Sequence, residues 1–542
     1  MQSLEADFDR PSSSSRPGLR GLAVITVAAC VICPASHALA DDTSTNAPSD
    51  PVLSLMLEKG MITEDEAAKV QAQVDARRTN DVAQFPPSKW NINPGIKNLQ
   101  VFGDVRLRYE YRSEKAPDGG SIELNRFRYA IRVGVRGEVL DDFYYGFRLE
   151  TSANPRSPFV TMGSSTPGPY GKSAAEVNVG QIYLGWHPES WFDFTVGKMP
   201  NPLYTTPMVW SPNINPEGLA EHFKYTVGQA DFFANFAQFI YQDENPSSVS
   251  QGLLGLGSLA QSGNNIFQVA WQGGLTYNIT TNVSAKIGAT VYQYYGLQQS
   301  TASQLYSPYF GNPFVGEGAY TGPGSGYPVN GFSGAGINGG LPGYQSVGFP
   351  NNQVGLNDLT VLEIPFQLDW KFQHFDTRFF GDFAYNFQGR QRAEAAAAAY
   401  SAYLADQPNT PATIGGFSPQ TDDNKAYQIG FAIGSKDSLG LVNGTTSKKH
   451  AWEIRTYWQH TEQYALDPNL VDTDFFAAAL NLQGLYVAAA YGFTDNLIGT
   501  VRYGHASRIN DKLGTATTGP DISQINPISD FDIFQVDLTC RF

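Results

Sequence analysis

Seven arginines carry most of the chemistry open to this chain. Arg106, Arg108, Arg126, Arg128, Arg132, Arg136 and Arg148 all fall on even positions. Arginine keeps its charge at every ordinary pH and presents a planar fork that fits carboxylates and phosphates. Ranged along one face, these side chains would line a wet passage, polarise it and contact anions. Asp104, Glu110, Glu138 and Glu150 share the same parity. A second outcome is therefore structural: ion pairs that hold a hydrated interior together. A mixture is expected, with at least two arginines at a constriction.

Other chemistry finds little support. His187, His222, His374, His450, His460 and His505 are scattered, with no spacing for a metal site. No serine sits in a G-x-S-x-G elbow. Cys30 and Cys33 belong to the leader, which leaves Cys540 alone and rules out an intrachain disulfide. No catalytic residue, metal or cofactor is expected. The net charge of −15 argues against nucleic acid as a partner.

Parity matters because these residues lie on strands. Val101, Val105, Leu107, Tyr109 and Tyr111, then Phe127, Tyr129, Ile131, Val133 and Val135, take the odd positions. A strand sends successive side chains to opposite faces, so each run has one apolar and one ionic face. A soluble sheet would turn the apolar face to a core. A membrane barrel would turn it to lipid and the ionic face to a wet lumen. In lipid the register is forced. An outward arginine at mid-membrane costs about 2–4 kcal/mol, and a one-residue slip would expose several of them, on the order of 10 kcal/mol. Charged residues are 16% and aromatics 13% of the 542 residues, and mean hydropathy is −0.28. With one apolar run, near the N-terminus, a multi-span helical protein is excluded, whereas alternating strands dilute hydropathy in this way.

Residues 1–40 read as a secretory signal: Arg16 and Arg20, the apolar run from Gly21 to Cys33, and an A-x-A site at Ala38-Leu39-Ala40. A lipobox-like Val27-Ala28-Ala29-Cys30 is the rival reading. Residues 41–95 form a linker and a short helical segment, expected in the periplasm. There Thr63 and Glu66 make a capping box. Residues 96–542 alternate through about 16 antiparallel strands. Connections are short and long by turns, which is the pattern of short periplasmic turns and long external loops. Ser435 to Lys449 is too long for a tight turn and fits that pattern poorly. Pro365 marks an expected bulge, and Ala395 to Ala405 a short helix. The consecutive aromatics Phe143-Tyr144-Tyr145, Phe232-Phe233 and Phe379-Phe380 suit interfacial girdles. The closing run Phe534, Val536, Leu538, Cys540 and Phe542 resembles the terminal signal read by the outer-membrane assembly machinery.

Gly197-Lys198-Met199-Pro200-Asn201-Pro202, followed by Trp210 and Asn215-Pro216-Glu217-Gly218, resembles the putative-porin family of Gram-negative outer membranes. The arginine hairpin and the capped helices add to the likeness, which runs from about Val52 to Phe542. It implies a channel-forming transmembrane β-barrel and brings no defined substrate. In 16-stranded porins the third external loop commonly folds inward and narrows the pore. Here that loop is Lys198 to Glu221, stiffened by Pro200, Pro202, Pro207, Pro212 and Pro216. Its candidate residues are Lys198, Asn201, Trp210, Asn215, Glu217 and Glu221, with Glu217 and Glu221 facing the arginines across the channel. Left outside, the segment is an ordinary surface loop. The expected protein is an outer-membrane porin, a homotrimer by analogy with porins of this size, passing ions and small hydrophilic solutes. The alternatives are a substrate-specific channel and a poorly conducting adhesin or wall anchor.

Overall fold

The computed structural model describes residues 96–115, 121–139, 142–152, 156–163, 177–242, 266–295, 359–390, 423–467, 470–476, 480–510 and 529–542, with Lys59, Thr63, Glu66, Lys69 and Val70. The expected signal segment, most of 41–95 and the expected helix at 395–405 lie outside these residues. In the first of two compact units, Met1–Ile92, Thr63 N donates to Glu66 Oε2 at 2.9 Å. Glu66 N reaches back to Thr63 Oγ1 at 3.4 Å. Those are the reciprocal bonds of a capping box.

The second unit, Asn93–Phe542, holds the strands β1 (Ile96–Lys115), β2 (Ser121–Val139), β3 (Phe143–Thr151), β4 (Val160–Thr161), β5 (Val177–Glu189), β6 (Phe192–Lys198), β7 (Glu217–Val227), β8 (Ala230–Gln242) and β9 (Ile266–Thr280). They continue as β10 (Val283–Tyr295), β11 (Thr360–Lys371), β12 (Phe375–Asn386), β13 (Lys425–Ser435), β14 (Trp452–Thr461), β15 (Leu482–Gly492), β16 (Leu497–Arg508) and β17 (Asp530–Arg541). All pairings are antiparallel, each between chain neighbours except around β4 and at the closure of the sheet. There β3 pairs β5, and the two-residue β4 pairs β2 beyond the end of β3. β17 returns to β1, with Leu107 opposite Leu538. Sixteen strands thus close a ring that has no free edge.

Burial is inverted relative to a soluble sheet. Leu107, Phe127, Trp271, Ile287, Trp458 and Val501 are exposed, while Arg108, Glu110, Arg128, Gln272, Glu363 and Asp537 are buried. The apolar alternate therefore forms the outer wall and the polar alternate fills the inside, as lipid on one side and a polar lumen on the other require. Period-two alternation also corrects the girdle reading. Both members of an adjacent aromatic pair cannot face out: Phe232 and Phe379 do, whereas Phe380 is buried and Tyr144 bonds inward to Asp193 at 2.7 Å. The outer belt is built instead from cross-strand neighbours, such as Phe143 on Trp186 at 6.3 Å and Phe192 on Phe223 at 5.2 Å. At Pro365 no bulge forms. The ladder keeps its register from Ile287↔Phe366 to Thr290↔Glu363.

Candidate functional site within the lumen

The first wall of the lumen is ionic. Glu110, fully buried, is ringed by Arg126 at 2.6 Å, Arg112 at 3.1 Å, Arg128 at 3.6 Å and Arg108 at 3.8 Å. Arg108 also meets Asp474 at 2.6 Å and Asp537 at 2.7 Å, and Arg502 pairs with Asp537 as well. Lower on the same strands Asp104 holds Arg106 at 2.7 Å and Arg132 at 2.8 Å, and Arg148 holds Glu150 at 3.0 Å. Arg136 bonds the Gln100 amide at 2.9 Å and stacks over the Phe102 ring at 5.0 Å. All seven sequence-selected arginines, with Asp104, Glu110 and Glu150, thus fall on one inner face. No ion pair to Glu138 forms among the described residues.

The segment 199–216 turns into the barrel. It leaves β6 and re-enters at β7 through facing glycines, Gly197↔Gly218. Both have positive φ (121° and 152°), and a Cβ on either would strike the neighbouring strand backbone. Only glycine allows so sharp a departure from the wall. Met199, Met208, Trp210 and Ser211 are buried. Across the lumen Thr205 donates to Glu363 at 2.6 Å, Thr206 to Asp382 at 2.5 Å, and Tyr204 N to Gln272 at 2.9 Å. The Trp210 ring packs on Phe239 at 5.9 Å and on Tyr292 at 6.3 Å. Asn201 caps Leu203 N at 3.0 Å, and Asn215 accepts from Gln181 at 2.8 Å.

Lys198, Glu217 and Glu221 need correction. β7 begins at Glu217, not at Phe223, so both glutamates are strand residues. They share the outward alternate with Phe223 and Tyr225 and do not face the arginines. Lys198 ends β6 and pairs with Glu217 at 2.6 Å on the outer wall. Two charges among few apolar neighbours hid the strand from an alternation count.

Two further insertions carry residues that pattern reading missed. Between β14 and β15 the described residues 462–467, 470–476 and 480–481 reach across the lumen. At one side Asp467 accepts Tyr241 OH at 2.8 Å and Tyr294 OH at 3.1 Å. At the other, Asp474 meets Arg108, and Arg112 donates to Thr473 O at 3.2 Å. Between these ends Ser211 N donates to Leu470 O at 2.6 Å and Asp472 N to Pro207 O at 3.1 Å. The two loops thus share backbone bonds and an apolar core of Met208, Trp210, Leu470, Val471, Phe475 and Phe476. Asp474 keeps 30% of its side-chain surface open to the lumen. Burial opposes its charge, but Arg108 outweighs that and holds its carboxyl well below the usual range. Asp472 has no such cation among the described residues. Burial first, then the charge of Asp474, push it up to about 7.

The poorly fitting connection, 436–451, inserts from the short-turn end. Glu453 accepts from Gly440 N at 2.8 Å and Val442 N at 2.9 Å, and Arg502 donates to Val442 O at 3.3 Å. Leu441 and Val442 are buried. Among the described residues three segments therefore narrow the lumen: two from the long-loop end and one from the other.

A family model described as putative porin matches residues 119–542. Among solved structures, the chain is similar to the outer membrane channel DcaP of Acinetobacter baumannii (10% identity, 84% of this chain and 99% of that one, TM-score 0.36). It is also similar to an anion-selective porin from Comamonas acidovorans (10%, 82% and 99%, TM-score 0.38). A third is Salmonella typhi OmpF in complex with daunomycin (10%, 83% and 99%, TM-score 0.37). No curated protein matches.

Proposed function

Since the chain belongs to the putative-porin family, we propose that it forms an aqueous passage across an outer membrane for ions and small hydrophilic solutes. The closed ring with its polar inside carries this reading: a polar face enclosed by a lipid-facing wall has to be wet or filled. The short turns then lie in the periplasm and the long connections outside. The segment before the barrel is periplasmic, and the working assembly is a homotrimer. The arginines act in two ways. Arg108, Arg112, Arg126 and Arg128 are paired with Glu110, Asp474 and Asp537 and brace the wall. Arg136, which has a neutral partner, contributes field to the periplasmic half. Asn201, Trp210 and Asn215 shape the constricting loop.

The meeting of segments 199–216 and 462–481 inside the barrel favours a selective passage over a wide general one. Planar-bilayer conductance of the refolded protein tests the reading. Discrete steps that grow with salt are expected, and a salt gradient gives the sign of selectivity. A correctly folded, heat-modifiable barrel without steps would overturn it.

A further inference from the structure

Resting on the solute-passage reading, we propose a second site on the wall away from the arginines: a seat for an organic carboxylate with a planar aromatic body. A cavity of about 360 Å³ lies between segment 199–216 and the inner face of β7–β10, lined by Tyr204, Lys224, Phe233, Asn235 and Lys286 among others. That volume suits a small organic molecule. Lys224 and Lys286 each lie a few residues from the turns at 228–229 and 281–282, so the cavity occupies the short-turn half of the barrel.

Its walls are an aromatic corner. The Tyr204 and Phe233 rings stand 6.3 Å apart at 86°, which offers one flat face and one edge, the two favoured contacts for a third ring. Both are held in place. Tyr204 exchanges two backbone bonds with the Gln272 amide, at 2.9 and 2.8 Å. Gly288 lies under the Tyr204 ring, where a Cβ would come within 3.1 Å, and Gly274 lies under the Phe233 ring. A corner built and fixed in advance binds without an ordering cost.

The charge is unusual for this lumen. Most of the arginines described above have a carboxylate. The Lys286 ammonium has rings instead, 3.9 Å from the Tyr204 centroid and 5.2 Å from that of Phe233. No carboxylate lies within ion-pair distance of Lys286 or Lys224 among the described residues. The one carboxylate of the lining, Asp231, is bonded to Thr226 Oγ1 at 2.5 Å. A cation held only by ring faces is under-compensated, and an incoming carboxylate completes it while its ring fills the corner. An aliphatic acid satisfies only the charge; an aromatic amine satisfies only the rings and meets repulsion.

Calorimetric titration of the refolded protein with benzoate, acetate and benzylammonium tests this. Benzoate should bind about tenfold more tightly than acetate, and benzylammonium should not bind. Lys286→Gln should weaken benzoate about tenfold, Lys286→Arg should restore it, and Tyr204→Leu should erase the preference over acetate. Equal affinity for benzoate and acetate in the native protein would overturn the proposal without any variant. So would a folded Lys286→Gln that binds benzoate unchanged. Calorimetry needs no current. A protein that binds benzoate but does not conduct would sink the channel reading and keep this one, and a conducting protein indifferent to benzoate would do the reverse.

Discussion

The two inner walls solve one problem in opposite ways. On β1, β2, β16 and β17 every buried acid of the cluster meets guanidinium: Glu110 four times, Asp537 twice. On β11 and β12 the two buried acids beneath the constricting loop meet hydroxyls. Glu363 accepts Thr205 Oγ1 at 2.6 Å and Tyr292 OH at 2.6 Å, and Asp382 accepts Thr206 Oγ1. Beside them runs a neutral chain from Asn235 to Gln272 to Thr290 at 2.7 and 2.6 Å. The first wall is charged and locked by ion pairs. The second receives the constricting loop through hydroxyls. Charge on one side and hydroxyl donors on the other make the narrowed lumen asymmetric, so a dipolar solute would meet it in one orientation.

Arg108→Met gives the largest expected effect. It strips a buried cation from Asp474 and Asp537, and breaking one partner of such a pair costs about 3–5 kcal/mol. A lowered urea midpoint and a larger single-channel step, from a released 462–481 segment, are the readouts. A loss under about 1 kcal/mol would show that the first wall is not held by its charges.

Proton concentration gives the next effect. Asp472 titrates higher in the folded protein than free, at about 7. The folded form therefore holds a proton that the unfolded chain gives up near pH 4. The stability of the loop contact falls as pH rises between these values, by up to about 1.4 kcal/mol per pH unit, and is flat above. Conductance should rise from pH 5 to pH 8, and Asp472→Asn should remove that slope. A slope that survives the substitution would place the titrating group elsewhere.

The smallest is Glu363→Gln. The amide oxygen still accepts from one of the two hydroxyls and the amide NH2 must donate to the oxygen of the other, so a cost of about 1 kcal/mol is expected in the same unfolding assay. A cost near that of Arg108→Met would mean that the second wall depends on charge after all, and the contrast would fail.

Strand positions were legible because lipid enforces them locally. The run Val101 to Tyr111 shows its outer face by parity alone, and so does Leu485 to Phe493. Legibility failed where the inside is apolar. Ala237 and Phe239 face inward against Trp210, which makes β8 apolar on both faces and blurs its alternation. The site was half legible. Arginine parity could be read along the chain, but their partner Asp474 lies 366 positions from Arg108. A loop that enters a barrel is held by such distant contacts, and no periodicity encodes them. Glu217 and Glu221 failed differently: two outward charges on a short strand look like loop.

The bonds that join segments 199–216 and 462–481 also have a mechanical meaning. A closed sheet one strand thick is a thin-walled tube, and a tube squeezed from the side flattens into an ellipse before its wall breaks. Here Arg108 at one side, Tyr241 and Tyr294 at another, and Glu363 and Asp382 at a third are tied through loops that touch at Ser211, Leu470, Pro207 and Asp472. The contact acts as the hub of a three-spoked brace. Lateral pressure from the bilayer then loads hydrogen bonds in the middle of the barrel as well as the wall, and flattening is resisted from within.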